Sequence, residues 1–123
     1  MLDHVSIGVG DLKRSGKFYD ATLKPLGYTR LSDADSALGY GEKGSFLWLL
    51  ASKKAVKPDP ASGLHFCFAA RSRAGVDAFH AAALKNGGTD NGKPSLRADY
   101  GPNYYAAFVT DPDGYRIEAY CGK

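Results

Sequence analysis

The sequence predicts an α+β chain in which one order of elements is used twice, and three observations carry that prediction. Strand-like alternation gives way to helix-like periodicity and then to further short strands, in the same order in both halves. The opening strand of each half carries a histidine: His4 in Leu2-Asp3-His4-Val5-Ser6-Ile7 and His65 in Leu64-His65-Phe66-Cys67-Phe68. The last strand of the second half, Tyr115-Arg116-Ile117-Glu118-Ala119-Tyr120, carries a glutamate.

A strand pattern at 2–9 leads into a helix over roughly 11–24, with Asp11 placed to cap it. Leu12, Phe18, Leu23 and Leu26 recur on one side, and Pro25 with Gly27 stops it. Short strands follow at about 27–32, 36–41 and 45–51, with Glu42-Lys43-Gly44 as a hairpin turn. Residues 53–63 hold two prolines and three lysines and read as a linker.

The order then restarts. Leu64 to Ala69 is a strand, and Ser72 to Lys85 is helical, with Val76, Phe79, Ala83 and Leu84 as its apolar side. Asn86-Gly87-Gly88 ends that helix. The Gly, Asp and Asn residues of 89–103 leave room for one short irregular strand. Tyr104 to Thr110 and Tyr115 to Cys121 are strands joined by Asp111-Pro112-Asp113-Gly114. The chain is therefore expected to be a single domain over 1–123, with a first module at about 1–52, a linker at 53–63 and a second module at about 64–123.

At 123 residues the chain can bury an ordinary core without staples, and its composition is that of a soluble globular protein. The net charge of +3 includes Lys53, Lys54 and Lys57, which read as solvated loop residues. No basic run is interleaved with aromatics, so nucleic acid is not an expected partner. No apolar stretch reaches membrane-spanning length, so neither is a membrane. The two cysteines, Cys67 and Cys121, lack metal or redox spacing and read as small buried apolar residues. With no secretory leader pattern, they point to a reducing cytoplasm. Gly8-Val9-Gly10 lacks the third glycine of a nucleotide loop, and His80 reads as a helix-surface residue.

Alternation decides which side chains can meet. Val5, Ile7 and Val9 should pack on the helix, turning His4 and Ser6 the other way. Leu64, Phe66 and Phe68 likewise leave His65 and Cys67 facing away, and Ile117 leaves Arg116, Glu118 and Tyr120 on that side. A four-residue turn at 111–114 would pair Thr110 with Tyr115, hence Ala107 with Glu118 and Tyr105 with Tyr120. Cross-strand partners share a face, so Tyr105 is expected beside Glu118 as a candidate proton carrier. His4, His65 and Glu118 then lie on non-helix faces. Two imidazoles and a carboxylate on rigid strands form a facial triad for a divalent cation, with positions left open for substrate. The first-half counterpart of Glu118 falls near Trp48, which would wall off the site or stack on a substrate.

The chain resembles the vicinal oxygen chelate superfamily, the glyoxalase/bleomycin-resistance/dioxygenase fold. The likeness rests on Leu2-Asp3-His4-Val5-Ser6-Ile7, on Lys17-Phe18-Tyr19-Asp20 followed by Leu26-Gly27-Tyr28, and on the closing hairpin from Ala107 to Glu118. It implies two βαβββ modules whose mixed sheet curls into a barrel-like cup with the helices outside, often in a homodimer. Family metal positions map onto His4, His65 and Glu118, while the fourth, a glutamate in glyoxalase I enzymes, maps near Trp48 or Leu49. The expected function is a metal-dependent enzyme of lyase, isomerase, dioxygenase or thiol-transferase type, acting on a small oxygenated molecule. Its one divalent ion is zinc, iron(II), manganese or nickel, and Ser6, Trp48, Cys67, Arg116 and Tyr120 line the substrate pocket. The competing expectation is a non-catalytic, bleomycin-resistance-like protein that sequesters its ligand.

Overall fold

Asp11 starts the first helix as its side-chain chemistry dictates. In the computed structural model, which describes residues 1–123, its carboxylate accepts from the Arg14 amide at 3.0 Å, supplying one of the partners a helix start lacks. The first strand, β1 (Val5–Val9), leads into this helix, α1 (Leu12–Leu23). Pro25 tightens the chain into a 3-10 turn at Lys24–Leu26, and Gly27 closes it at φ 91°, a conformation that suits glycine. Three strands follow: β2 (Thr29–Asp33), β3 (Ala37–Gly41) and β4 (Ser45–Ala51).

The second half repeats the order with β5 (Phe66–Ala69), α2 (Arg73–Lys85), β6 (Thr89–Leu96), β7 (Tyr105–Thr110) and β8 (Arg116–Cys121). Each half forms its own four-stranded sheet, in the orders β1-β4-β3-β2 and β5-β8-β7-β6. The opening strand lies parallel to the last strand of its half, because a helical crossover returns the chain in the same direction. Residues 53–63 hold one 3-10 turn, Pro60–Ser62, capped by Asp59. No helix is long and apolar enough to cross a membrane.

The two mixed sheets do not close into a barrel, and together with the two helices they form the α+β, two-module fold expected from the sequence. Their apolar faces are instead used up on the helices. Ile7, Val9, Leu47, Leu49, Phe68, Val109, Ile117 and Ala119 from the strands join the buried side chains of α1 and α2 in one core of 20 residues, in which α1 packs against α2. Burying Phe18 and Phe79 completely in it stabilises the fold by roughly 1.5–3 kcal/mol each.

A latch ties the halves together. Asp113 accepts from the Gly10 amide at 3.1 Å, the Arg14 guanidinium at 3.0 Å and the Ser15 hydroxyl at 3.0 Å. The buried Asp111 carboxylate accepts from the Tyr19 hydroxyl at 2.7 Å and from the amides of Asp113 and Tyr115 at 2.9 Å. Burial raises the Asp111 pKa, and those hydrogen bonds oppose the rise.

Several expectations need correction. The closing hairpin has a three-residue loop. Gly114 sits at φ 95° and the Asp111 amide donates to the Tyr115 carbonyl at 2.8 Å, so Asp111 opposes Tyr115. That extra pair shifts the ladder by one residue: Thr110 faces Arg116 and Phe108 faces Glu118. A one-residue slip turns every side chain over. Leu64 precedes β5 and is 45% exposed, as is Leu84, which falls outside the Val76, Phe79, His80, Ala83 stripe that α2 buries. His80, expected on the surface, is buried and donates to Asp90 at 2.9 Å. Cys121 is buried as expected, whereas Cys67 is exposed because it faces away from the helices.

Candidate functional site

The parallel ladder between β5 and β8 sets Cys67 opposite Glu118. Alternation along β8 turns Arg116, Glu118 and Tyr120 away from α2, and the β7 register adds Tyr104, Ala106 and Phe108 to the same face. Two of the three predicted metal donors meet here. His65 Nε2 lies 3.2 Å from Glu118 Oε2. Glu118 is 2% exposed, so a buried carboxylate is satisfied only through its neighbours. The second neighbour is Tyr104, whose hydroxyl donates to Glu118 Oε1 at 2.6 Å.

The surroundings tune these groups. Burial and the adjacent carboxylate raise the Tyr104 pKa, so the phenol keeps its proton at neutral pH. Cys67 has an open flank, yet desolvation and the Glu118 carboxylate push its thiol up to about 12. Arg116 donates through Nη1 to the Pro60 carbonyl at 2.7 Å, leaving other guanidinium protons for a ligand. Tyr104 stacks on Tyr120 with ring centroids 4.1 Å apart and meets Tyr100 edge-on at 5.2 Å. His65, Glu118, Arg116, Tyr100, Tyr104 and Phe108 line a cavity of about 250 Å³.

His4 does not join this pair. Its Nδ1 is 2.7 Å from Asp3 Oδ1, and it lines a neighbouring cavity of about 320 Å³ at the seam between the halves. His65 borders that cavity too, so the histidines share one hollow. No group of three or more His, Cys, Asp or Glu side chains gathers closely enough within one chain to hold an ion. Ser6 and Trp48 face each other across β1 and β4, as Cys67 and Glu118 do across β5 and β8. Trp48 is thus the topological counterpart of Glu118, as the repeat implies.

The donor pair can be tested for fit. Two cis ligands about 2.1 Å from a common ion lie about 3.0 Å apart in octahedral geometry and about 3.4 Å apart in tetrahedral geometry. The observed 3.2 Å falls between these values. An imidazole and a carboxylate are also the donor types that zinc, iron(II), manganese and nickel accept. His65 and Glu118, which meet here as a hydrogen-bonded pair, therefore have the donor types and spacing of two of the three ligands that such a site would need.

Tyr105 does not join it. The corrected register puts Tyr105 opposite Cys121 on the helix side, and its hydroxyl donates to Asp77 at 2.6 Å. Tyr104 takes the place expected for it. The signal for Tyr104 was present in Asp111-Pro112-Asp113-Gly114, since glycine at the fourth position suits the left-handed residue of a three-residue loop.

Paired βαβββ sheets with a histidine–glutamate pair on one non-helix face define a glyoxalase-type architecture. The family model for the Glyoxalase/Bleomycin resistance protein/Dioxygenase superfamily matches residues 1–119, and the chain belongs to that superfamily. A glyoxalase/bleomycin resistance protein from Albidiferax ferrireducens is similar at 35% identity, over 95% of this chain and 94% of that one, with a TM-score of 0.80. A glyoxalase I mutant from Zea mays is similar at 25% identity and a TM-score of 0.71, over 97% of this chain but 45% of that one. A glyoxalase-related enzyme from Fulvimarina pelagi, 19% identical over 98% of this chain and 86% of that one, shares the fold with a TM-score of 0.74. No match was found among curated proteins.

Proposed function

We propose that the chain is a small divalent-metal-dependent enzyme of lyase, isomerase, dioxygenase or thiol-transferase type that binds a small oxygenated substrate. One observation carries the reading: His65 Nε2 and Glu118 Oε2 sit 3.2 Å apart at the wall of a cavity. His4 is the third donor. Its side chain is half exposed, and the first-half sheet leaves Leu31 and Leu50 exposed at 46% and 40%. A homodimer that sets the first half of one copy against the second half of the other would bring His4 to the pair. Ser6 and Trp48 would then close the pocket opposite Cys67, Arg116 and Tyr120. The proposed location is the cytoplasm.

A bound divalent ion would supply Lewis acidity toward negative charge that develops on a substrate oxygen. The protein's own groups do the rest. Arg116 offers its free N–H groups to a substrate carboxylate or phosphate. The aromatic wall of Tyr104 and Tyr120 excludes water from one side and can stack on a flat substrate. Cys67 stays a thiol at neutral pH and serves as wall, since the thiolate is the nucleophilic form.

Elemental analysis tests the reading. Purified protein should carry about one divalent ion per chain, and His65→Ala should lose it while keeping the wild-type circular dichroism spectrum. Unchanged metal content in that variant defeats the proposal. The second reading, ligand sequestration without catalysis, is favoured by Trp48, an aromatic where a fourth donor would stand. Ligand binding that persists undiminished in excess chelator would favour it.

A further inference from the structure

We propose that Tyr104 is the positioning residue of the site, holding one oxygen of Glu118 so that the other is the only one offered to a cation. This rests on the metal reading above. The Glu118 carboxylate is divided between two neighbours: Oε1 receives the Tyr104 hydroxyl at 2.6 Å, and Oε2 faces His65 Nε2 at 3.2 Å. A carboxylate free to rotate about its last bond can present either oxygen, or both. A phenol hydrogen bond on one of them removes that freedom and leaves a one-oxygen donor.

Tyr104 is itself well fixed for the task. It stands one residue before β7, on the face that β7 shares with Glu118. Its carbonyl accepts from the Arg97 amide at 2.7 Å, and its ring is stacked on Tyr120 and met edge-on by Tyr100. The neighbouring Tyr105 carries the same hydroxyl to the opposite face, onto Asp77. Adjacent tyrosines on opposite faces make a matched pair, one inside the site and one outside it.

Cobalt(II) titration of the metal-free protein tests the assignment, because its visible absorption reports both affinity and coordination number. Tyr104→Phe should weaken cobalt binding by about 10–100-fold, the usual effect of removing a partner of a metal ligand. Its visible bands should lose intensity as Glu118 becomes free to offer both oxygens. Tyr105→Phe should bind within about twofold of wild type. In a Glu118→Asp background, where the shorter side chain withdraws from Tyr104, adding Tyr104→Phe should change affinity by less than about twofold. A Tyr104→Phe protein with wild-type affinity and spectrum overturns the assignment. So does an equal loss from Tyr104→Phe in the Glu118→Asp background, which would place the effect in general stability. Wild-type protein that binds no cobalt overturns the metal reading and this assignment with it.

Discussion

In the first half Ser6 pairs with Trp48 across the parallel β1–β4 ladder, and in the second Cys67 pairs with Glu118 across β5–β8. The next strand in also differs: Gly39 lies beside Trp48, and Phe108 beside Glu118. A Cβ at Gly39 would come within 2.8 Å of the indole, so the bare backbone there lets Trp48 lie flat on the sheet. One backbone plan thus supports an aromatic wall in one half and a buried carboxylate in the other. Strand order sets where a side chain can be, and its identity decides whether the position is a lining or a site.

The corresponding hairpins diverge in the same way. Glu42-Lys43-Gly44 is a solvent turn from which Glu42 makes an exposed ion pair with Arg71. The turn at 111–114 is the latch between the halves, with a buried aspartate at its base. A turn that only reverses the chain tolerates change. A turn that also satisfies buried donors does not.

The sharpest test of the first contrast is the reactivity of Cys67. With its thiol pushed up to about 12 against an ordinary value of 9.0, the thiolate fraction at pH 8 is lower by on the order of a thousandfold. Iodoacetamide labelling followed by mass spectrometry should therefore be slow at pH 8 and accelerate as pH rises toward 12. Glu118→Gln should recover part of the rate, because burial, the larger cause, remains. Labelling of the wild type as fast as free cysteine would show that neither desolvation nor Glu118 holds the thiol up.

Breaking the latch should have the next largest effect. Asp111→Ala leaves the buried Tyr19 hydroxyl and two amides without their acceptor, and should cost about 3 kcal/mol or more in urea unfolding. Glu42→Ala, at the matching turn, should cost under about 0.5 kcal/mol because both partners are exposed. Equal costs at the two turns would erase the distinction between them.

How much of this was legible beforehand varies by element. The strands at 45–51 and the two capped helices were readable because their signals are local: alternation, a cap, and a proline or glycine stop. The pairing of His65 with Glu118 followed from alternation, since both lie off the helix face. The choice between Tyr104 and Tyr105 was misread, because it depends on one residue of loop length. His80 was missed because its partner, Asp90, lies on a different element, beyond the reach of helix periodicity.

By itself, the order of residues determined the repeated strand–helix–strand plan, the shared face of His65 and Glu118 and the family to which the chain belongs. Those depend on periodicities of two and 3.6 residues and on short turn motifs, all set within a few neighbours. Only the tertiary structure decided that Tyr104 holds Glu118, that Asp111 and Asp113 latch the halves, and that His4, though it shares a hollow with His65, forms no three-residue cluster with His65 and Glu118 in one chain. Those outcomes depend on ladder register and on how two sheets share a pair of helices, which are contacts between residues far apart in sequence.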